Sequence, residues 1–457
     1  MLPPEIFKAY DIRGIVGRTL TPDIVRTIGQ ALGSLARDRN RDTIAVGRDG
    51  RLSGPELIAA LSDGICRAGV DVVDVGMVVT PMTYFAAEHL RTACCVMVTG
   101  SHNPPDYNGL KMVIDGTTLS GDDIQALRAR IERGDLHRGQ GSVRAADISA
   151  AYLDRIASDV RLARPMRIAV DCGNGVAGAF APGLFRRLGC EVVELFCDVD
   201  GNFPNHHPDP SQPKNLVDLQ RRLAQGDCEL GLAFDGDGDR LGVVTPAGNV
   251  IYADRQLMLF AADVLTRAPG ATIIYDVKST RNLKPWILQH GGVPLLWKTG
   301  HSLIKAKMKE VGAALAGEMS GHTFFGERWY GFDDGLYAGA RLLEILTRGA
   351  NPAATLDALP DALSTPELNI ACAEGEQHAL IARLQSDAEF PGASDVIRID
   401  GLRVEYPDGF GLARASNTTP VIVLRFEADN PAALARIQRE FKRVLTAVKP
   451  GIALPFP

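Results

Sequence analysis

The sequence predicts an α/β protein of three related α/β domains with mixed sheets, followed by a smaller C-terminal α+β domain. Three observations support this prediction. The chain has 457 residues, about three times the length of a typical domain. Short apolar runs that end in polar turns alternate with helical patterns along most of the chain. Towards the C-terminus the pattern changes to strands and one closing amphipathic helix.

Paired apolar runs predict the strands. The first run of each pair covers residues 44–46, 168–170 and 273–275. The second run of each pair covers residues 96–98, 232–234 and 314–316. Each run ends in a polar turn, as expected of a buried strand that leads into a loop. Any long α/β protein shows such runs, but the repeated order of features favours three related domains.

Helical spacing occurs between or just after the paired runs. Apolar residues recur four positions apart at Leu57, Leu61 and Ile65. A second helical face consists of Leu336, Ala340, Leu343 and Leu346. Because strands alternate with helices, we expect largely parallel or mixed sheets.

The C-terminal region has a different pattern. Asp400-Gly401 is a hairpin signal and residues 421–426 are predicted to form a further strand. The spacing of Leu434, Ile437, Phe441 and Val444 predicts an amphipathic closing helix. The Pro-containing stretch 352–366 is the predicted linker. We therefore expect domains at residues 1–150, 151–250, 251–365 and 366–457.

Composition excludes several classes of protein. Hydrophobic residues make up 46% and charged residues 23%, which supports sizeable packed cores. The net charge of −6 and the lack of a basic run argue against nucleic-acid binding. No apolar run approaches the roughly 20 residues that span a bilayer, and the N-terminus lacks a signal-peptide pattern. The eight cysteines, without a C-x-x-C motif, indicate a reduced cytoplasmic protein.

The most specific motif is an acidic loop at residues 235–240. Asp235, Asp237 and Asp239 alternate with glycines and can all face one hard cation. An EF-hand is excluded because its sixth position is Arg240 and its twelfth is Pro246. An aspartyl-phosphate motif is excluded by Asp239, and a solvated acidic turn is the remaining alternative. Three carboxylates leave coordination positions for a phosphate oxygen, which favours Mg²⁺.

A second loop, residues 99–104, places Ser101 at the end of an apolar run. A hydroxyl there can be exposed beside backbone N–H groups that face an anion. Taken alone the signal is weak, because serine in such loops usually serves the turn. The sequence has neither the G-x-S-x-G motif of hydrolases nor the phosphate-binding loop of nucleoside triphosphatases.

Two further polar loops are candidates for ligand contacts. Glu318, Ser320 and His322 offer a carboxylate, a hydroxyl and an imidazole to adjacent hydroxyls of a sugar. Residues 414–418 offer a guanidinium, polar side chains and loop N–H groups to a phosphate. Each could equally be an ordinary polar connection.

Together these motifs resemble one family. Residues 10–14, 47–49, 298–301 and the four loops above are similar, in the same order, to motifs of the α-D-phosphohexomutases. The match extends over nearly the whole chain and is strongest for the bacterial phosphomannomutase/phosphoglucomutase group. The resemblance implies four domains around a central cleft, with one loop from each.

The resemblance also implies roles for individual residues. Ser101 would be the phosphorylated nucleophile and, with Asp235, Asp237 and Asp239, would bind one Mg²⁺ per chain. Lys111 and His301 are candidates for proton transfer, whereas Arg13 and Arg240 would stabilise charge near the reacting phosphate. The residues implied in substrate binding are Tyr10, Lys278, Lys298, Gly300, Glu318, Ser320, His322, Arg414, Ser416, Asn417 and Thr418.

The implied activity is reversible phosphoryl transfer between the 1- and 6-positions of glucose and mannose phosphates. It would proceed through a phosphoserine and a hexose 1,6-bisphosphate in a monomer with neither nucleic-acid nor membrane partners. The family suggests a part in polysaccharide biosynthesis. Met319 favours these sugars, because the related glucosamine-phosphate mutases usually carry Gln there. That enzyme, a Mg²⁺-dependent phosphosugar phosphatase and a non-catalytic sugar-phosphate binding protein are the alternatives.

Overall fold

The computed structural model describes residues 2–457, which fold into four consecutive sheets with helices packed against them. Each of the first three sheets contains a pair of parallel neighbouring strands formed by the predicted paired runs. An antiparallel strand follows each second run. The prediction of three related α/β domains with mixed sheets is confirmed.

The first sheet has the order β1-β5-β4-β2-β3-β7, with β6 beside β5. Its strands are β1 Ile12–Ile15, β2 Thr43–Arg48, β3 Asp71–Met77, β4 Cys95–Val98, β5 Tyr107–Ile114, β6 Thr117–Thr118 and β7 Val143–Ala145. Its helices are α1 Pro22–Asp38, α2 Gly54–Arg67, α3 Thr80–His89 and α4 Asp122–Glu132. Strand β4 is buried along its length, which fixes the start of the loop that carries Ser101.

The second sheet has the order β12-β11-β10-β8-β9. Its elements are α5 Ser149–Asp159, β8 Arg167–Asp171, α6 Ala181–Arg187, β9 Glu191–Leu195, α7 Val217–Leu223, β10 Leu230–Phe234, β11 Leu241–Val244 and β12 Val250–Ile251. The acidic loop connects β10 to β11, and both of these strands are buried throughout.

The third sheet has the order β14-β13-β15-β16. Its elements are α8 Ala253–Arg267, β13 Thr272–Asp276, α9 Leu283–Gln289, β14 Val293–Trp297, α10 His301–Val311, β15 Leu315–Gly317, β16 Thr323–Phe325, α11 Gly335–Leu346 and α12 Pro352–Asp357. Helix α12 lies inside the predicted linker, where Asn351 caps it by accepting a hydrogen bond from the Ala354 N–H.

The fourth sheet is antiparallel, with the order β17-β22-β21-β20-β19 and β18 beside β22. Its elements are β17 Leu363–Ser364, β18 Leu368–Ala371, α13 Glu376–Asp387, β19 Asp395–Ile397, β20 Leu402–Tyr406, β21 Gly409–Ala415, β22 Val421–Ala428 and α14 Pro431–Val448. Strand β21 was not predicted from the sequence. It places Arg414 near the end of a buried strand, with the rest of its motif in the following loop.

The hydrophobic cores show how the domains are joined. A single core includes Met97 of the first sheet, Phe234 of the second and Phe325 of the third. The fourth sheet packs on α14 around a core of its own, which includes Phe426 and Phe441. Between residues 2 and 457, no helix combines the length and the apolarity needed to cross a membrane.

Candidate active site

The loops that follow β4, β10 and β15 lie at the same ends of neighbouring sheets and meet in one place. Ser101 Oγ donates a hydrogen bond to Asp235 Oδ2 across 3.1 Å. Arg240, at the end of the acidic loop, pairs with His322 through its backbone, and its Nε donates to His322 Nε2 across 3.0 Å. Residues predicted from three separate motifs are therefore in contact.

Ser101 is held in an uncommon conformation. Its side chain is 1% exposed and its backbone φ is +47°, in the left-handed region that non-glycine residues avoid. The Ser101 N–H donates to Thr99 Oγ1 across 2.8 Å. The carbonyl of Ser101 lies so close to Gly236 that a Cβ at position 236 would come within 2.4 Å of it. A glycine in the acidic loop thus permits the contact between the two loops.

The three aspartates of the acidic loop fit a cation. All three are fully buried, and each offers an oxygen within 4.8 Å of the others. Within residues 2–457, Asp237 Oδ1 and Asp239 Oδ1 have no hydrogen-bond partner. Burial, reinforced by the neighbouring carboxylates, raises the pKa of Asp235 well above its ordinary value. A hard divalent ion would satisfy these oxygens and relieve the repulsion.

Lys111 lies on β5 beside the same carboxylates. Its ammonium donates to Asp237 Oδ2 across 2.7 Å and also to Asp239 Oδ2. Burial opposes its charge, but the two carboxylates outweigh burial and raise the pKa of Lys111 above its ordinary value. In this arrangement Lys111 retains its proton and supplies positive charge next to Ser101.

His301 and His322 lie on the other side of the acidic loop. His322 Nδ1 lies 3.0 Å from Asp333 Oδ2 and 3.5 Å from Asp239 Oδ1. His301 Nδ1 lies 3.9 Å from Asp333 Oδ2, and burial lowers the pKa of His301 well below its ordinary value. A neutral imidazole in this position can accept a proton.

Glu318 faces the loop that begins α10. One of its oxygens accepts a hydrogen bond from the Gly300 N–H, while Oε2 has no partner among the described residues. Burial raises the pKa of Glu318 above its ordinary value. Lys278 Nζ pairs with Glu367 Oε2 over 3.1 Å. Ser320 is half-buried beside these groups and Lys298 is exposed at the edge.

The fourth domain contributes the Arg414 motif. Arg414 Nε donates to Asp400 Oδ2 across 3.1 Å, and its buried Nη2 has no partner within the part of the chain that the structure describes. Ser416 Oγ accepts hydrogen bonds from the Thr418 and Thr419 N–H groups. Asn417 donates to the Tyr10 hydroxyl, which itself donates to the Thr299 carbonyl. This contact joins the first, third and fourth domains.

Arg13 completes the basic groups near Ser101. Its Nη1 donates to Asn103 Oδ1 across 2.6 Å, and its Nη2 pairs with Asp11. Asn103 lies two residues after Ser101, so the Arg13 side chain reaches the loop that carries the serine hydroxyl.

Several partners were not predicted from the sequence. Asp333 lies against both histidines, Thr80 Oγ1 donates to Asp237 Oδ2 across 2.5 Å, and Asp400 anchors Arg414. Neither aspartate belongs to the motif of the group it contacts, although Asp400 lies in the predicted hairpin signal Asp400-Gly401. The only sequence signal at Asp333 is a carboxylate pair, 333–334, between an aromatic run and an apolar helix.

The arrangement places a serine hydroxyl, a cation site, basic side chains and a neutral histidine within one buried cluster. Such a set can accept a phosphoryl group on the serine oxygen and stabilise the charge of its transfer. The Arg414 motif can bind a second anionic group at the far side of the cleft.

Sequence and structure comparisons identify similar proteins. Four family descriptions match, namely phosphoglucomutase/phosphomannomutase α/β/α domains I, II and III and the C-terminal domain, at residues 4–138, 150–248, 252–363 and 367–444. A phosphoglucomutase of Neisseria gonorrhoeae is 62% identical over 96% of both chains. A phosphomannomutase/phosphoglucomutase of Pseudomonas aeruginosa is 56% identical over 100% of this chain and 98% of its own. A crystal structure of a Burkholderia thailandensis protein from this family covers 100% of both chains with a TM-score of 0.96 and 61% identity.

Proposed function

The chain belongs to the phosphoglucomutase/phosphomannomutase family, and on this basis we propose that it interconverts hexose 1- and 6-phosphates with Ser101 as the phosphate carrier. The chain is a hexose phosphate mutase, an isomerase, as its relatives' names indicate. The observation that supports the role of Ser101 is its hydrogen bond to Asp235, in a buried cluster of three carboxylates.

In the proposed cycle, phosphorylated Ser101 meets a hexose 1-phosphate whose own phosphate is bound by Arg414, Ser416, Asn417 and Thr418. The sugar 6-hydroxyl attacks the phosphorus, the bond from phosphorus to Ser101 Oγ breaks, and a hexose 1,6-bisphosphate forms. The bisphosphate then reorients within the cleft and returns the phosphate from its 1-position to Ser101. The hexose 6-phosphate leaves, and the enzyme is phosphorylated again.

The side chains must neutralise the charge of the transferring phosphoryl group and transfer a proton. Asp235, Asp237 and Asp239 would hold Mg²⁺, with an oxygen of the phosphoserine as a further ligand, and the ion would neutralise charge on the transferring phosphoryl group. Lys111, Arg13 and Arg240 add fixed positive charge. Because burial keeps His301 neutral, it suits the acceptance of the hydroxyl proton better than Lys111 does.

The sugar site must accept two orientations of the same bisphosphate. Contacts to the 3- and 4-hydroxyls remain equivalent after the reorientation, and Glu318, Ser320 and His322 can make them. Tyr10 and Lys298 line one pocket, the Gly300 N–H donates to Glu318, and Lys278 pairs with Glu367, so all four can contribute to substrate binding. The 2-hydroxyl, which distinguishes glucose from mannose, would then be recognised only weakly. We therefore expect both sugars to be substrates.

Met319 remains the residue on which the sugar preference depends. Its sulfur contacts the buried guanidinium of Arg425, which belongs to the fourth domain. The full-length relatives named for glucose and mannose phosphates favour these substrates over glucosamine phosphate. Free thiols on all eight cysteines are compatible with the inferred cytoplasmic, monomeric enzyme.

The test is a comparison of Ser101→Ala with wild type and with Ser158→Ala, a control on the exposed side of α5. Conversion of glucose 1-phosphate should fall at least about a thousandfold in Ser101→Ala and remain normal in the control. Near-normal conversion in Ser101→Ala would reject the phosphoserine cycle. Release of inorganic phosphate by wild type at the rate of substrate loss would instead indicate a phosphatase.

A further inference from the structure

The loop between β2 and α2 follows the 47–49 motif and has no role in the cycle above, yet it contains a fully buried arginine. Arg51 is 1% exposed, and its guanidinium lies 5.2 Å from the ring centre of Phe203, in the second domain. A buried guanidinium requires hydrogen-bond acceptors around it. Its acceptors are carbonyls of the Ser101 loop and of the first residue of β5.

Arg51 donates hydrogen bonds to four backbone carbonyls. Arg51 Nη2 donates to the carbonyls of Ser101 and Asn103 across 2.8 and 2.6 Å. Its Nη1 donates to the carbonyls of Pro104 and Tyr107 across 2.5 and 2.9 Å. One rigid, planar group thus orients three peptide units of the loop and the first of β5, a task that its fork of donors suits.

Asp49 connects this guanidinium to the backbone of Ser101. Asp49 Oδ2 lies 3.2 Å from Arg51 Nε and accepts hydrogen bonds from Thr99 Oγ1 and the Gly100 N–H, across 2.7 and 3.2 Å. Thr99 Oγ1 in turn accepts from the Ser101 N–H across 2.8 Å. Ser101 is therefore fixed at its carbonyl by Arg51 and at its N–H through Asp49.

This double attachment explains how a serine keeps a φ of +47°. A residue in that region persists only where its surroundings determine the conformation. The same geometry directs Ser101 Oγ towards Asp235. We propose that Arg51, held by Asp49, is a positioning residue that keeps the Ser101 hydroxyl aligned for phosphoryl transfer. The proposal rests on the proposed role of Ser101.

Two variants test it by different routes. Arg51→Lys keeps the positive charge but loses the planar fork of donors. Gly100→Ala keeps the arginine but displaces it, because a Cβ at position 100 would lie 2.4 Å from Arg51 Cζ. The control is Arg341→Lys, which alters an equally buried arginine paired with Asp263 and Glu327 in the third domain.

The readouts are kcat and KM for glucose 1-phosphate with saturating glucose 1,6-bisphosphate and Mg²⁺, measured well below each variant's melting temperature. We expect kcat to fall about 10- to 100-fold in Arg51→Lys and in Gly100→Ala, with KM within about threefold of wild type. Arg341→Lys should lower the melting temperature while kcat stays within about twofold of wild type.

A kcat within about twofold of wild type in both loop variants would overturn the proposal, because the loop would then position Ser101 without the guanidinium. A fall in kcat of equal size in Arg341→Lys would also overturn it, since the effect would be one of general stability. Wild-type protein that lacks mutase activity under these conditions would contradict the proposed function itself.

Discussion

Ionisable residues near the cleft have opposite pKa shifts because their neighbours differ. Burial opposes ionisation of both Asp235 and Asp333. At Asp333 the Lys305 ammonium, 2.9 Å away, overcomes burial and holds the pKa well below its ordinary value. At Asp235 the neighbouring carboxylates add to burial and the pKa is raised. Asp333 is thus a stable anion beside the histidines, whereas ionisation of Asp235 would be favoured by a bound cation.

Asp334, next to this cluster, gives a pH-dependent prediction. It caps α11 by accepting from the Tyr337 N–H and also accepts from the Tyr152 hydroxyl. Burial raises its pKa to about 7, so the folded protein holds a proton there that the unfolded chain loses above about pH 4. Its contribution to stability therefore declines as pH rises from about 4 to about 7.

Asp334→Asn cannot ionise but can still cap the helix. The free energy of unfolding of Asp334→Asn minus that of wild type should therefore increase between about pH 5 and about pH 8. Urea unfolding at the two pH values measures the change, with the exposed Asp387→Asn as control. An equal difference from wild type at both pH values would show that Asp334 does not titrate in this range.

Some residues of the site could be predicted from the sequence and others could not. Ser101, the three aspartates and the Arg414 motif lie in compact local motifs; Ser101 contacts the aspartate cluster, and Asn417 of the Arg414 motif contacts Tyr10. Asp333, Asp400 and Arg51 act through contacts with residues of other loops and strands. No spacing rule connects such partners, because the fold alone decides which buried charges meet.

At the scale of elements, close helix packing depends on glycine. Helices α1 and α2 approach so closely that a Cβ on Gly64 would lie 2.0 Å from the Arg26 carbonyl oxygen. Gly183 in α6 is also helical, but among the described residues a Cβ there would meet nothing within 4 Å beyond its chain neighbours and its own helix backbone. The two glycines therefore predict opposite effects of the same substitution.

Gly64→Ala should destabilise the protein by about 1–3 kcal/mol, because the helices must separate. Gly183→Ala should stabilise it by about 0.5–1 kcal/mol, because alanine is the better helix former. Thermal unfolding of both variants beside wild type measures the two shifts. A melting temperature of Gly64→Ala equal to that of wild type would contradict the packing described here.

The elements were predictable where an uninterrupted apolar run ended in a polar turn. The paired runs appear as parallel neighbours in each of the first three sheets. Strand β21 was missed because its sequence, Gly409–Ala415, contains two glycines and an arginine that weaken a strand pattern. Helix α12 was missed because the prolines around it suggested a linker, whereas Pro352 occupies the first helical turn.

For the whole molecule, the continuous core of the first three domains makes them one body, and the fourth domain has its own core. The acidic cluster that could hold a cation lies where the first and second domains meet, since Lys111 and Ser101 of the first contact aspartates of the second. An ion bound there would stabilise both domains together.

Mg²⁺ should therefore raise the melting temperature of wild type. At 100 times its dissociation constant, the ion should add about 2.7 kcal/mol to the free energy of unfolding. Removal of Mg²⁺ by a chelator should abolish mutase activity and leave the far-UV circular dichroism unchanged. Asp237→Asn should lose most of the Mg²⁺-dependent shift, and Asp387→Asn should keep it. An undiminished shift in Asp237→Asn would place the ion elsewhere.

The phosphoserine cycle is tested most directly by the intact mass of the protein before and after incubation with glucose 1,6-bisphosphate, followed by peptide mapping. Unphosphorylated enzyme should gain one phosphate, located on Ser101, and Ser101→Ala should gain none. A catalytically active enzyme whose phosphate maps to a different residue, or that never becomes phosphorylated, would contradict the phosphoserine cycle.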